Sequence, residues 1–316
     1  MRKTLLLVAG IALFCFTNKA QAQMTFSTDD MEQVKKRKLI VITETPSEDL
    51  MKKLTKKKKI EEITNYQSAL DLYNREMKEV VEKFWTFSAT DIQYKSLKEV
   101  DELKDKTQYA IIYCTSGVNS VQSKHQDLEW APKGDKIEGD GITLMAVGLA
   151  EGKKPICYVT MPDAFPTKAD MVYGISSTNF MFNYKLLHVK ARDVSGDKEP
   201  MVQNQLRLKN RTLLIRQDQI DSKLKPEDIK AAYPYSYRIV TADEMDQYVI
   251  NADSNYAYTI IATIIGGRAA MYFPEVMDCK DGAGLAVSLS GMMAGHGVVT
   301  KNTLADFCQY ISGKKK

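Results

Sequence analysis

Two hydrophobic periods alternate along the first part of the chain. Lys38-Leu39-Ile40-Val41-Ile42-Thr43-Glu44 is a nearly unbroken β-branched run. It predicts a central strand buried on both faces, ended by Pro46-Ser47. From Ile60 to Phe84 the apolar positions Ile60, Ile63, Leu70, Tyr73, Met77, Val80, Val81 and Phe84 step mostly by three or four. That spacing belongs to one face of a long helix. A short strand at Ile92 to Tyr94 follows. Ser96-x-x-Glu99 then fits a capping box, so a helix is expected from Leu97 to about Lys104. Gln108 to Cys114 reads as a strand, and a polar stretch covers 115–140. Two further strands, Ile142 to Ala150 and Pro155 to Met161, are joined by Glu151-Gly152-Lys153-Lys154 as a hairpin. Thr167 with Asp170 opens a helix toward Leu187.

A similar order recurs. Thr212 to Gln217 is a strand, and Pro226 fits the first position of a short helix ending near Ala232. Tyr237 to Val240 is a strand, and Thr241-x-x-Glu244 is a second capping box, opening a helix to about Ala252. Tyr256 to Ile265 and Ala269 to Pro274 form a hairpin about Gly266-Gly267, and a last helix spans Asn302 to Ile311. Tyr109-Ala110 matches Tyr256-Ala257. Lys154-Pro155-Ile156-Cys157-Tyr158 stands in the place of Arg268-Ala269-Ala270-Met271-Tyr272. The expected architecture is α/β (α+β type), two related β-α-β-α-β-β domains in tandem arising by a diverged duplication. The expected divisions are a signal peptide at 1–22, a mobile lead-in at 23–37, a first domain at 38–195 with its polar insertion, a linker at 196–210, and a second domain at 211–316.

The segments Ile92-Gln93-Tyr94-Lys95-Ser96 and Tyr237-Arg238-Ile239-Val240-Thr241 each run into an acidic amphipathic helix. This resembles the strand-to-helix turn of small α/β envelope domains, such as the amino-terminal domain of the TolB family and the curli-secretion lipoprotein family. The resemblance covers about twenty residues per copy. It implies a periplasmic module that contacts other proteins, and it transfers no functional residue.

The amino terminus supplies the address. Arg2 and Lys3 precede an apolar run from Leu5 to Phe16, and Ala20-Gln21-Ala22 places small residues where signal peptidase cuts. The run rises only ~18 Å, too little for a ~30 Å hydrocarbon core. Phe14 before Cys15 spoils a lipobox, so cleavage is expected after Ala22 without lipid attachment. No later stretch reaches spanning length. The expected compartment is the periplasm or cell envelope. The formal charge of +4 falls to +1 once Arg2, Lys3 and Lys19 leave with no acid. Net charge therefore gives no support to a nucleic-acid partner.

Catalytic signatures are sparse. His125, His188 and His296 are isolated, with no second His or Cys at ligand spacing, so no zinc site and no other metal is expected. No G-x-S-x-G elbow marks a nucleophile. Gly282-Ala283-Gly284-Leu285 lacks the third glycine of a dinucleotide fingerprint and reads as a turn-rich, closely packed segment. No cofactor and no catalytic residue is assigned. Cys114, Cys157, Cys279 and Cys308 remain after processing; they allow three pairings, and none forms C-x-x-C. Glu129-Trp130, in the polar insertion, is the one candidate ligand loop.

The clearest charge feature is Lys52-Lys53 with Lys56-Lys57-Lys58-Lys59. No aromatic residue interleaves it, and it suits an anionic envelope component or an acidic partner. Lys56 to Lys59 are expected in the linker or first turn of the Ile60 helix, where the helix dipole opposes cations by ~0.3–1 kcal/mol. The expected function is an exported, non-catalytic binding or assembly module. A hydrolase acting on an envelope polymer and a periplasmic small-ligand carrier are the alternatives.

Overall fold

The computed structural model describes residues 28–88, 91–117, 142–152, 154–163, 166–188, 206–266, 269–288 and 297–312. The leader, most of the polar insertion, much of the expected linker and part of the Gly-rich tail lie outside these residues. The fold is mixed α/β with two five-stranded mixed sheets.

The first half contains α1 (Thr28–Lys36), β1 (Lys38–Thr43), α2 (Glu48–Lys56), α3 (Ile60–Phe84), β2 (Ile92–Ser96) and α4 (Leu97–Asp101). It continues with β3 (Tyr109–Gly117), β4 (Ile142–Leu149), β5 (Cys157–Thr160) and α5 (Lys168–His188). The second half contains β6 (Thr212–Arg216), a 3-10 turn (Gln217–Gln219), α6 (Pro226–Ala232), β7 (Tyr237–Val240) and α7 (Ala242–Ile250). β8 (Tyr256–Gly266), β9 (Ala269–Asp278), β10 (Gly284–Val287) and α8 (Lys301–Ser312) complete it.

The sheets run β2-β1-β3-β4-β5 and β7-β6-β8-β9-β10. In each, the first three strands are parallel and the last two antiparallel. The registers correspond as well. Lys38 pairs Tyr109 as Thr212 pairs Tyr256, and Leu39 pairs Ile92 as Leu213 pairs Tyr237. Ser96 and Thr241 then cap α4 and α7 with complete capping boxes.

Three expectations need correction. The lead-in is not wholly mobile, because Thr28–Lys36 is a helix with acids in its first turn, lysines in its last, and Met31 and Val34 buried. The stretch after Pro46 is helical too. Ser47 caps α2, its Oγ accepting the Leu50 N–H at 3.4 Å. The third is β10, which the Gly-rich composition concealed. By place in the sheet, β5 corresponds to β10 and β4 to β9, so the match of Cys157 to Met271 was one strand out.

The packing is layered. Leu39 and Val41 face α3, while Ile40, Ile42, Val100 and Ile111 form a small cluster under α4. In the second half Leu213 and Ile215 face α6 and α8, whereas Leu214, Tyr258 and Ile260 face α7 and α5. Residues 169–179 of α5 are buried on every side, as expected of a helix with no polar face. Each of its fully buried large side chains, such as Met171 and Phe182, contributes about 1.5–3 kcal/mol. Gly174 lets this helix lie flush on the first sheet, since a Cβ there would fall 2.7 Å from Met145 Sδ. Asn179 locks it to the end of α3. Its Nδ2 donates to Phe84 O at 2.6 Å, and its Oδ1 accepts from the Phe87 amide at 3.2 Å.

Candidate functional site

β1 lies between β2 and β3, so its two neighbours are reached by connections leaving in opposite directions. Such a switch point leaves a crevice at the carboxyl ends of parallel strands. Here the crevice measures about 710 Å³, between the end of β1, the start of α2, the outer side of α4 and β3. Glu44, Glu48, Asp49, Asp101 and Glu102 line it, against Lys98 as the one lysine lining it among the described residues. Glu48 also pairs with Lys52 at 3.4 Å, and Asp101 with Lys106 at 2.9 Å.

Glu44 is fixed by its backbone. Its amide donates to Asn74 Oδ1 at 2.8 Å, and its carbonyl accepts from Asn74 Nδ2 at 2.9 Å. Burial lifts the Glu44 carboxyl to about 7. No ion pair to that carboxyl forms among the described residues. Burial raises the Tyr113 hydroxyl to about 12, and the Cys114 thiol to about 12 as well. The wall therefore offers hydrogen-bond donors and carboxylates but no thiolate.

The second half has the same place, and it is filled. Counting from the shared register, Ile42, Asp101, Ile111 and Tyr113 correspond to Arg216, Asp246, Tyr258 and Ile260. Those four residues line a space of only about 30 Å³, closed by Ala169, Asp170 and Tyr173 from the first turns of α5. Arg216 binds Asp218, the counterpart of Glu44, at 2.6 Å and approaches Asp163 at 4.0 Å. Asp170 caps its own helix by accepting the Thr167 amide at 2.9 Å. Burial, aided by Asp163 and Asp246, lifts it to about 7.

The lysines converge elsewhere. α2 and α3 form a helical hairpin, and Lys52, Lys53, Lys56, Lys57, Lys58 and Lys59 are all exposed at its turn. Lys57 and Lys58 lie in the link between α2 and α3 and Lys59 at the N-cap of α3, where the sequence predicts them, but Lys56 does not. Instead Lys53 and Lys56 occupy the last turn of α2, where the dipole favours cations. Lys58 adopts φ 53. Its amide bonds to Thr55 O at 3.0 Å and that of Lys59 to Leu54 O at 3.1 Å, the paired bonds of a Schellman stop. Lys52 and Lys59 pair with Glu48 and Glu62. Lys53, Lys56, Lys57 and Lys58 form no ion pair among the described residues. Ile60, expected on the buried face, is 74% exposed beside them.

Glu129, Trp130, His125 and His296 lie outside the described residues. Cys114, Cys157, Cys279 and Cys308 are free thiols, all pushed above the usual thiol range by burial. No group of three or more metal-ligating side chains occurs among the described residues, and no helix there is long and apolar enough to cross a membrane. Sequence reasoning missed the crevice. Its one readable signal was the acid directly after β1, where a parallel strand ends. No protein-family model, curated protein or solved structure matches the chain.

Proposed function

We propose that this chain is an exported, non-catalytic binding or assembly module of the cell envelope, holding an anionic component through the tip of the α2–α3 hairpin. The tip carries the reading. Lys53, Lys56, Lys57 and Lys58 crowd one exposed turn without pairing among the described residues, and Ile60 stands bare beside them. Four such lysines next to an exposed aliphatic side chain suit an anionic surface with an apolar underlayer, with Glu61 and Glu62 lying on the α3 side of Ile60. The leader-like segment at 1–22 supports export and cleavage after Ala22. The shared strand order, register and paired capping boxes support descent of 38–195 and 211–316 from one duplicated unit, joined through 196–210.

The test is co-sedimentation with phosphatidylglycerol vesicles, phosphatidylcholine vesicles serving as the neutral control. Each lysine near an anionic surface contributes about 1 kcal/mol, so Lys56→Glu with Lys58→Glu should weaken binding by more than about tenfold. Reversal at the end of α2 costs folding only ~0.5 kcal/mol or so, so the melting temperature should fall by a few degrees at most. Binding should also fade as salt shortens the screening length. Equal binding by the wild type and the double variant at low salt would sink this reading.

A further inference from the structure

We propose that the crevice of the first half is a docking groove for a basic, lysine- or arginine-bearing peptide segment of a partner protein, seated as the first turns of α5 are seated in the second half. The molecule supplies its own precedent. Four lining positions of the two crevices coincide by register, yet one holds about 710 Å³ of open space and the other about 30 Å³. The difference is the polypeptide inserted in the second, where Ala169, Asp170 and Tyr173 of α5 press between α7 and the sheet. The outer face of the first sheet has α4 in the place of α7 and nothing in the place of α5 among the described residues. A crevice of about 710 Å³ on a face that its counterpart buries against protein fits polypeptide better than a free ion.

Charge identifies the guest. In the second half the groove carries Arg216, and the inserted segment brings Asp163 within 4.0 Å of it. In the first half Ile42 replaces that arginine, while Glu44, Asp49 and Glu102 line the wall with no cation paired to them among the described residues. The open groove presents Glu44, Glu48, Asp49, Asp101 and Glu102 without the arginine of its counterpart, so charge complementarity calls for a cationic guest. Among the described residues an anionic or phosphorylated ligand would meet five acidic side chains and one lysine. The proposal is independent of the lysine tip, which lies at the far end of α2.

The experiment is fluorescence anisotropy at low salt with a labelled, end-capped alternating alanine–lysine peptide. Saturable one-to-one binding is expected, and the same peptide with glutamate for lysine should not bind. Asp49→Lys with Glu102→Lys, both on exposed positions, should weaken binding by about tenfold or more. Leu97→Arg, which places a guanidinium at the mouth of the groove, should do likewise and stands in if the double variant misfolds. Lys56→Glu with Lys58→Glu should keep the wild-type affinity for the peptide. Wild-type affinity in both groove variants, or equal binding of the glutamate peptide, would overturn the proposal. So would displacement by lysinamide at the affinity of the peptide itself, since the crevice would then hold a small amine rather than a chain.

Discussion

At the scale of single residues, Glu275 stands out. Both carboxyl oxygens are buried without a hydrogen-bond partner among the described residues, opposite Ile260 on β8. An ionised carboxylate in such a place costs several kcal/mol, so burial lifts the group from 4.5 to about 8. In the unfolded chain it ionises near its ordinary value; in the folded chain it stays neutral to about 8. The unfolded state thus sheds its proton first, and stability falls as pH rises through that window. Glu44 and Asp170, each lifted to about 7, act in the same direction. Glu275→Gln keeps the shape and removes the ionisation. At pH 9 it should gain on the order of 2–4 kcal/mol over the wild type. Below pH 5 the two proteins should differ little. Urea midpoints at acidic, neutral and alkaline pH measure this, and parallel curves for the two proteins would contradict it.

At the scale of elements, the turn between β9 and β10 is held against α5 by an absent side chain. Gly282 has φ +69, and a Cβ there would fall 2.6 Å from backbone atoms of Ser176 and Ser177. Its carbonyl accepts the Ser177 hydroxyl at 3.2 Å. Gly282→Ala is therefore strained twice, by backbone conformation and by collision with a buried helix that cannot retreat. The expected cost is about 2–4 kcal/mol. Gly148→Ala serves as the comparison, because its Cβ would meet nothing closer than 3.7 Å; it should stay within about 1 kcal/mol of the wild type. Thermal melts of both variants decide the point. A Gly282→Ala protein as stable as Gly148→Ala would show that the turn is looser than its contacts imply.

At the scale of the molecule, one apolar cluster runs from Met31 and Leu39 through α5 to Leu214, Tyr258 and Met277. Neither sheet can lose α5 without exposing its inner face. The chain should unfold in one cooperative step, with calorimetric and van't Hoff enthalpies in agreement. Two resolved transitions in scanning calorimetry would show instead that each half holds its core alone. Shared burial also explains why residues at the centre of α5 are insulated from both solvent-facing surfaces, the lysine tip and the open crevice.

How much of this was legible in the sequence follows from the range of the forces involved. Local periodicity and capping placed α3 at Ile60 to Phe84, both capping boxes, the β8–β9 hairpin and the cluster of lysines, because each depends on residues within a few positions of one another. It missed α2, where lysines crowd a helix that only Ser47 and Leu54 anchor, and β10, where glycine and alanine give no strand signal. What tertiary structure decided lies in the pairing of distant segments. Burial of α5 by both sheets depends on contacts across the whole chain. The contrast between an open groove in the first half and a filled one in the second appears only when Ile42 and Arg216 are seen at one register position. A carboxylate such as Glu275 looks like any other acid along the chain, and only the protein packed around it, by excluding water, makes it a group that titrates near 8.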